Sequence, residues 1–246
     1  MSKNENEKRA TISVVTATYN AANHLPRLIE SLRGQTDKDF EWVVADGASD
    51  DGTLELLRSV TDINIVISSQ ADFGIYDALN RAIKISSGEY YIVSGADDIL
   101  YPESVASFRQ IASEKQPDMV SAKIMAAGRL CPVRRPWPWL YGAFAYVNSH
   151  AVGTLIKKSL HEQFGFYSRS YPIVADQFFL KKVGDAGAKI ESSDFVAGEF
   201  GVHGSSGKDV LGVLTENFRV QLATGENKLV QTAFFLARTI KNFRKF

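Results

Sequence analysis

The sequence predicts an α/β fold, a single large domain on a mostly parallel central sheet flanked by helices, with its ligand at one sheet edge. Three observations lead there. Short apolar runs rich in Val, Ile and Tyr alternate with helical-period runs through the first hundred residues. One such run, Glu89 to Ser94, is bounded by Gly88 and Gly95 and gives way at once to two carboxylates, Asp97 and Asp98. The 246 residues are 45% hydrophobic, enough for one substantial core.

In order, Ile12 to Ala17 reads as the first strand and Thr18-Tyr19-Asn20 as the loop after it. Asn23 is placed to cap a helix with Pro26 in its first turn and Leu25, Leu28, Ile29 and Leu32 on one face. Phe40 to Ala45 is the second strand, ending in the turn-rich Asp46-Gly47-Ala48-Ser49-Asp50-Asp51-Gly52, and a second helix begins near Leu54 and Leu57. Asn64 to Ser68 is the third strand, Ile75 to Ser86 a third helix, and Glu89 to Ser94 the fourth strand. Pro102 stands where a helix reaching about Gln116 could start.

Beyond this point the pattern loosens. A strand is expected at Met119 to Met125, and three prolines forbid regular structure through Cys131 to Trp139. His150 to Ile156 reads as extended, Lys158 to Phe164 and Asp176 to Val183 as helices, and Ala188 to Ser192 and Val196 to Phe200 as strand pieces. A Gly- and Ser-rich loop follows at Gly201 to Gly207. The expected division is a main domain over 1–209 and a helical appendage over 210–246.

Composition excludes several classes. With 28 basic and 28 acidic residues the net charge is zero, which gives no footprint for nucleic acid. One cysteine, Cys131, forbids an internal disulfide and suits a reducing compartment. The charged start MSKNENEKRA lacks the apolar core of a secretory signal, and no apolar run approaches the ~20 residues of a membrane span. The expected location is the cytoplasm, at the inner face of the cell membrane.

Neither GxGxxG nor GxxxxGK[ST] occurs, so a dinucleotide site and a P-loop are unsupported. Groups just beyond strand carboxyl ends line the crevice of such sheets. Adjacent aspartates repel, and a divalent cation would neutralise them there. A solvated turn is the plain alternative.

The runs TISVVTATYNAANHLPRLIESLRGQT, FEWVVADGASDDGT, DFGIYDALNRAI and SGEYYIVSGADDILYP together resemble the family 2 glycosyltransferases of the GT-A fold. The resemblance covers about the first hundred residues. It implies an enzyme that moves a sugar from a nucleotide-sugar, read here as a UDP-sugar carrying a hexosyl or N-acetylhexosaminyl group, to an acceptor hydroxyl. Inversion at the anomeric centre and Mn²⁺ or Mg²⁺ as cofactor come with it. By similarity Tyr19 flanks the nucleobase, Asp46 accepts a hydrogen bond from it, Asp97 lies near the ribose and Asp98 ligates the metal. Asp72, Asp77 and Asn80 border the nucleotide and donor sugar. VADQFFLKKV matches a downstream signature whose Asp176 is the general base, with a helix cap as its alternative role. His150 matches a position near the acceptor, and a buried structural histidine is the other reading. His203 matches the loop from which some GT-A enzymes supply a third metal ligand, although FGVHG departs from the more usual GGVS. His24 and His161 read as helix-surface residues.

Arg134, Arg135, Trp137 and Trp139 share one proline-stiffened loop, and the C-terminus sets Phe234, Phe235, Leu236, Ile240, Phe243 and Phe246 among Arg238, Lys241, Arg244 and Lys245. Such features suit peripheral contact with a membrane holding a lipid-linked or glycan acceptor, or a homodimer. A sugar nucleotidyltransferase would open with a GxGxRL-like loop and a lysine, which ATYNAANHL lacks. A non-catalytic nucleotide-sugar binder would have lost Asp98 or Asp176, and both are present. The absence of QxxRW after Asp176 favours single-sugar addition over processive synthesis.

Overall fold

The computed structural model describes residues 11–201 and 209–245. The strands are β1 (Ile12–Thr18), β2 (Phe40–Asp46), β3 (Ile65–Ser69), β4 (Tyr90–Val93), β5 (Ile99–Leu100), β6 (Met119–Ala126), β7 (Arg129–Cys131), β8 (Thr154–Lys157) and β9 (Ile190–Phe200). The helices are α1 (Leu25–Arg33), α2 (Thr53–Arg58), α3 (Ile75–Ile85), α4 (Ser104–Lys115), α5 (Pro138–Tyr141), α6 (Leu160–Phe164), α7 (Ala175–Asp185), α8 (Val210–Ala223) and α9 (Lys228–Asn242).

All strands join one sheet in the order β3-β2-β1-β4-β8-β6-β9-β5, with β7 beside β6. The half from β3 to β4 is wholly parallel, as the alternation of strands and helices predicts. The other half is mixed: β8 runs antiparallel to β4 and β6, while β9 lies parallel to β6. Tyr90 to Val93 and all of β2 are buried, as strands covered on both faces must be. On α1, Leu25, Leu28, Ile29 and Leu32 are all buried, each contributing roughly 1.5–3 kcal/mol of hydrophobic stabilisation.

Several local expectations change. His24, not Asn23, occupies the N-cap position of α1. The two strand pieces near the end of the main sheet are one strand, β9, whose pairing with β6 shifts register between Ser121 and Ile124. The proline-rich segment contains a helical turn, α5, because Pro138 sits at its start, where a missing N–H costs nothing.

The two C-terminal helices are tied to the rest. Buried Glu216 of α8 accepts the backbone N–H groups of Ile173 (2.9 Å) and Val174 (3.0 Å), fixing the approach to α7. Lys181 of α7 is fully buried and bonds Asp185 and, between α8 and α9, Glu226, each at 2.9 Å. Among the described residues no helix is long and apolar enough to cross a membrane.

Candidate active site

The parallel strands β1 to β4 bring their carboxyl ends to one edge, where Thr18, Asp46 and Ser69 stand in register. Asp46 is fully buried there. Its Oδ1 accepts from Thr18 Oγ1 (3.0 Å) and Ser49 Oγ (2.5 Å), and its Oδ2 from the Ser49 N–H (3.0 Å) and Ser69 Oγ (2.8 Å). Burial works to raise its pKa, but these bonds together hold it below the ordinary value. With these four donors Asp46 anchors the ends of three strands, and a hydrogen bond to a nucleobase would replace one of the hydroxyl donors.

The loops after β1 and β2 are sewn together. Asn20 N–H donates to Ser49 Oγ (2.9 Å), Ala21 N–H to Thr53 Oγ1 (2.8 Å) and Ala22 N–H to Asp51 (3.1 Å). Tyr19, at the rim of this weave, is 70% exposed. Gly47 lies against it: a Cβ at that position would come within 3.3 Å of the Tyr19 ring and 2.9 Å of Asp72 Oδ2. An open aromatic face beside a strand edge can stack on a planar ring.

Asp72 and Asp77 flank the start of α3. Asp72 accepts the Gly74 N–H (3.0 Å) and faces Arg81 at 3.7 Å. Arg81 donates to the Asp46 (2.8 Å) and Gln70 (3.2 Å) carbonyls, so it braces the same edge. Sequence reasoning missed it, although it follows Asn80 directly. Asp77 bonds Arg169 at 2.6 Å, which holds its carboxyl below the usual range. The Asn80 amide clamps the Tyr167 backbone, donating to the carbonyl and accepting the N–H at 2.9 Å each.

The paired carboxylates divide their tasks. Asp98 is buried, and its oxygens accept backbone N–H groups from Gly95 (2.6 Å) and Gly201 (2.7 Å). Burial pushes its pKa up to about 7, against those two bonds. Asp97 is only half-buried. Among the described residues no three His, Cys, Asp or Glu side chains form a metal cage. A hard divalent cation can instead be held by one carboxylate and the phosphates of a substrate. The adjacent carboxylates Asp97 and Asp98 share the turn that would present such a donor set, with Asp98 tied down by two backbone N–H groups. His203 lies outside the described residues.

Asp176 is in the first turn of α7, with Val174 at the N-cap, so it is not the capping residue. Its Oδ1 lies 2.6 Å from Tyr76 Oη of α3, whose single proton is shared between this oxygen and the Ile173 carbonyl at 2.8 Å, and its Oδ2 faces His150 Nδ1 at 3.7 Å. His150 is buried, and its Nε2 bonds Tyr167 Oη (2.6 Å). From there a chain runs inward: Tyr167 Oη to Tyr91 Oη (2.8 Å), Tyr91 Oη to His161 Nε2 (2.7 Å), and His161 Nδ1 to the Gly165 carbonyl (3.1 Å). His161, expected on a helix surface, is 3% exposed because the short α6 turns it under the Phe179 ring, 4.3 Å away between centroids. The tyrosines were missed too. Tyr91, in a strand buried on both faces, carried the one available signal, since a buried hydroxyl needs a partner.

Residues 13–171 match the family described as Glycosyl transferase family 2, and the chain belongs to that family. A PGL/p-HBAD biosynthesis glycosyltransferase of Mycobacterium bovis is 33% identical over 118 residues, 46% of this chain and 46% of that protein. The chain spans about half the length of that curated relative. The Staphylococcus aureus TarS 1–349 structure superposes with a TM-score of 0.72 at 20% identity, covering 94% of this chain and 72% of that one. The Pyrobaculum calidifontis mannosyltransferase PcManGT in complex with GDP-Man and Mn²⁺ gives 0.70 at 18%, covering 93% and 70%. The fold is GT-A.

Burial holds the His161 pKa down at about 4. Its ordinary value is near ~6.5, so between those limits the unfolded chain binds a proton that the folded chain refuses. Stability therefore falls as pH drops through that window, and above it this group contributes no slope. Urea midpoints at pH 7.5, 6 and 5 should show the decline, and His161→Gln should flatten it; an equal decline in the variant would contradict the assignment.

Proposed function

We propose that the chain transfers a sugar from a UDP-sugar to an acceptor hydroxyl with inversion, building a bacterial surface polysaccharide or lipid-linked glycan. The observation that carries this reading is Asp176, a partly exposed carboxylate fixed by Tyr76 to the helix that starts beside Asp72. Membership of the family supports it. TarS 1–349 has been solved with UDP and with UDP-GlcNAc, which supports uridine as the donor base.

In this reading Tyr19 stacks on the nucleobase, and Asp72, Asp77 and Arg81 close the donor side. The Asp97–Asp98 turn would hold Mn²⁺ or Mg²⁺ together with the diphosphate, Asp98 as the expected ligand, and the ion would supply Lewis-acid stabilisation of the leaving group. Asp176 Oδ2 accepts the acceptor's proton as its oxygen attacks, while Tyr76 keeps Oδ1 occupied and the carboxylate aimed. Such a base contributes typically ~10²–10⁴-fold.

The acceptor comes from the membrane side in this proposal. The tryptophan loop and α9, far apart in sequence, meet: Trp139 packs on Phe234 (5.8 Å between centroids), Gln231 Nε2 donates to the Trp139 carbonyl (2.6 Å) and Arg238 to that of Leu140 (2.7 Å). Phe235 turns inward onto Phe218. Trp137, Leu236 and Ile240 stay exposed, among exposed Arg134, Arg135, Lys241 and Arg244. Phe246 lies outside the described residues. Apolar rings among cations suit an anionic lipid interface, and five basic and no acidic residues after Asn227 disfavour pairing with a second copy.

Three aspartate variants test the chemistry. Asp176→Asn should cut turnover of UDP-sugars at least ~10²-fold with UDP affinity unchanged. Asp97→Asn and Asp98→Asn should each weaken the Mn²⁺ dependence of UDP binding, and Asp98→Asn should also lower the melting temperature, since Asp98 ties Gly95 to Gly201. A fully active Asp176→Asn would remove the base.

The lipid contact is tested with the full chain. Leu236→Glu with Ile240→Glu should release it from vesicles containing phosphatidylglycerol; unchanged sedimentation would exclude this face, and a dimer-to-monomer change would identify a second copy as its occupant.

A further inference from the structure

The hydrogen-bond chain behind Asp176 has a fixed direction, and the Gly165 carbonyl fixes it. A carbonyl only accepts, so His161 Nδ1 must carry the proton that reaches it at 3.1 Å. With His161 neutral, its Nε2 is then an acceptor, and Tyr91 Oη must donate to it. Tyr91 has a single proton, so Tyr167 must donate to Tyr91, and His150 Nε2 must donate to Tyr167. Each step removes a choice from the next. A neutral His150 therefore ends the chain with Nε2 protonated and Nδ1 bare, facing Asp176 Oδ2 at 3.7 Å.

Two acceptors facing each other repel unless a proton lies between them. We infer that Asp176 and His150 act as one proton-accepting couple, with His150 Nδ1 as the second holder of the proton that Asp176 takes from the acceptor hydroxyl. This rests on the reading of Asp176 as the base. The O–H bond of the acceptor breaks, its oxygen bonds the anomeric carbon, the bond to the diphosphate breaks, and the proton passes from Oδ2 to Nδ1 once the two close from 3.7 Å to hydrogen-bond distance. The imidazolium keeps its Nε2–H bond to Tyr167, so nothing else in the chain must rearrange. After product departure the proton returns through Asp176 to water. His150 is a positioning residue in this scheme, since it acts through Asp176 and touches no substrate.

The surroundings agree. Burial holds His150 below the ordinary imidazole pKa, with the charge of Asp176 opposing it, so the ring is neutral and ready to accept. The groups facing the couple are Tyr76 from α3, Tyr91 from β4, His161 from α6, Tyr167 from the loop before α7, and Glu216 of α8 behind Tyr76. Among the described residues Asp176 is the charge that acts on His150, while the cation Lys158 acts on His161. The segment carrying His150 is held stiffly. Val152, two residues on, is fully buried at φ +62°, a left-handed conformation rare for a β-branched residue, and its N–H bonds the Val93 carbonyl at 2.7 Å.

The test is ¹⁵N-histidine NMR on the full chain and on Asp176→Asn, titrated from pH 8 to pH 5. At pH 7 His150 should be the Nε2–H tautomer and His161 the Nδ1–H tautomer. On acidification His150 should gain its second proton before His161. Removing the opposing charge in Asp176→Asn should lower the His150 pKa further. The signals of His161 are identified by His161→Gln or, should that variant not fold, by ring contact with Phe179. An Nδ1–H tautomer at His150, or a His150 titration unmoved by Asp176→Asn, would overturn the couple. Failure of the base itself shows separately, in surviving turnover of Asp176→Asn.

Discussion

Two buried carboxylates govern how this sheet edge is built. Removing a carboxylate from water is costly unless hydrogen bonds replace the lost hydration. Asp46 meets that demand with four donors drawn from the ends of β1 and β3 and from its own loop. Asp98 meets it only in part, with the N–H groups of Gly95 and Gly201, so its pKa stays raised at about 7 while those bonds join the turn after β4 to the end of β9 across 103 residues. The carboxylates therefore set the positions of the loops that surround any ligand at this edge.

That constraint separates scaffold from chemistry. Asp97, half-buried, and Asp176, whose side chain is 17% exposed, are less enclosed than these two anchors. One lies on the turn held by Asp98, the other on a helix start held by Glu216 and Tyr76. A rigid frame of this kind serves group transfer, because a small displacement of a base or a cation ligand costs much of the rate.

Much of this was legible in the sequence. The parallel half of the sheet followed from strand–helix alternation, and the edge itself from where the apolar runs stop. Which member of each polar pair faces solvent was not legible. Asp97 and Asp98 are chemically identical neighbours, and only the register of β9 against β6 brings the Gly201 N–H to the second of them. Asn80 and His150 look equally available in a linear chain, yet both turn to Tyr167, which a one-dimensional reading gives no reason to single out. The merging of two strand pieces into β9 was hidden because Ser193 and Asp194 interrupt its apolar pattern.

The claim on which the rest stands is that a nucleoside diphosphate and its cation gather at the Asp97 turn. Paramagnetic broadening of the ¹⁵N-labelled chain by Mn²⁺ in the presence of UDP locates the ion directly. The predicted result is broadening centred on Ala96 and Asp97, spreading to Tyr19 and Gly47, with α9 and Trp137 unaffected and no broadening pattern when UDP is omitted. Broadening centred on the tryptophan loop and α8, or spread evenly over surface carboxylates with and without UDP, would contradict it.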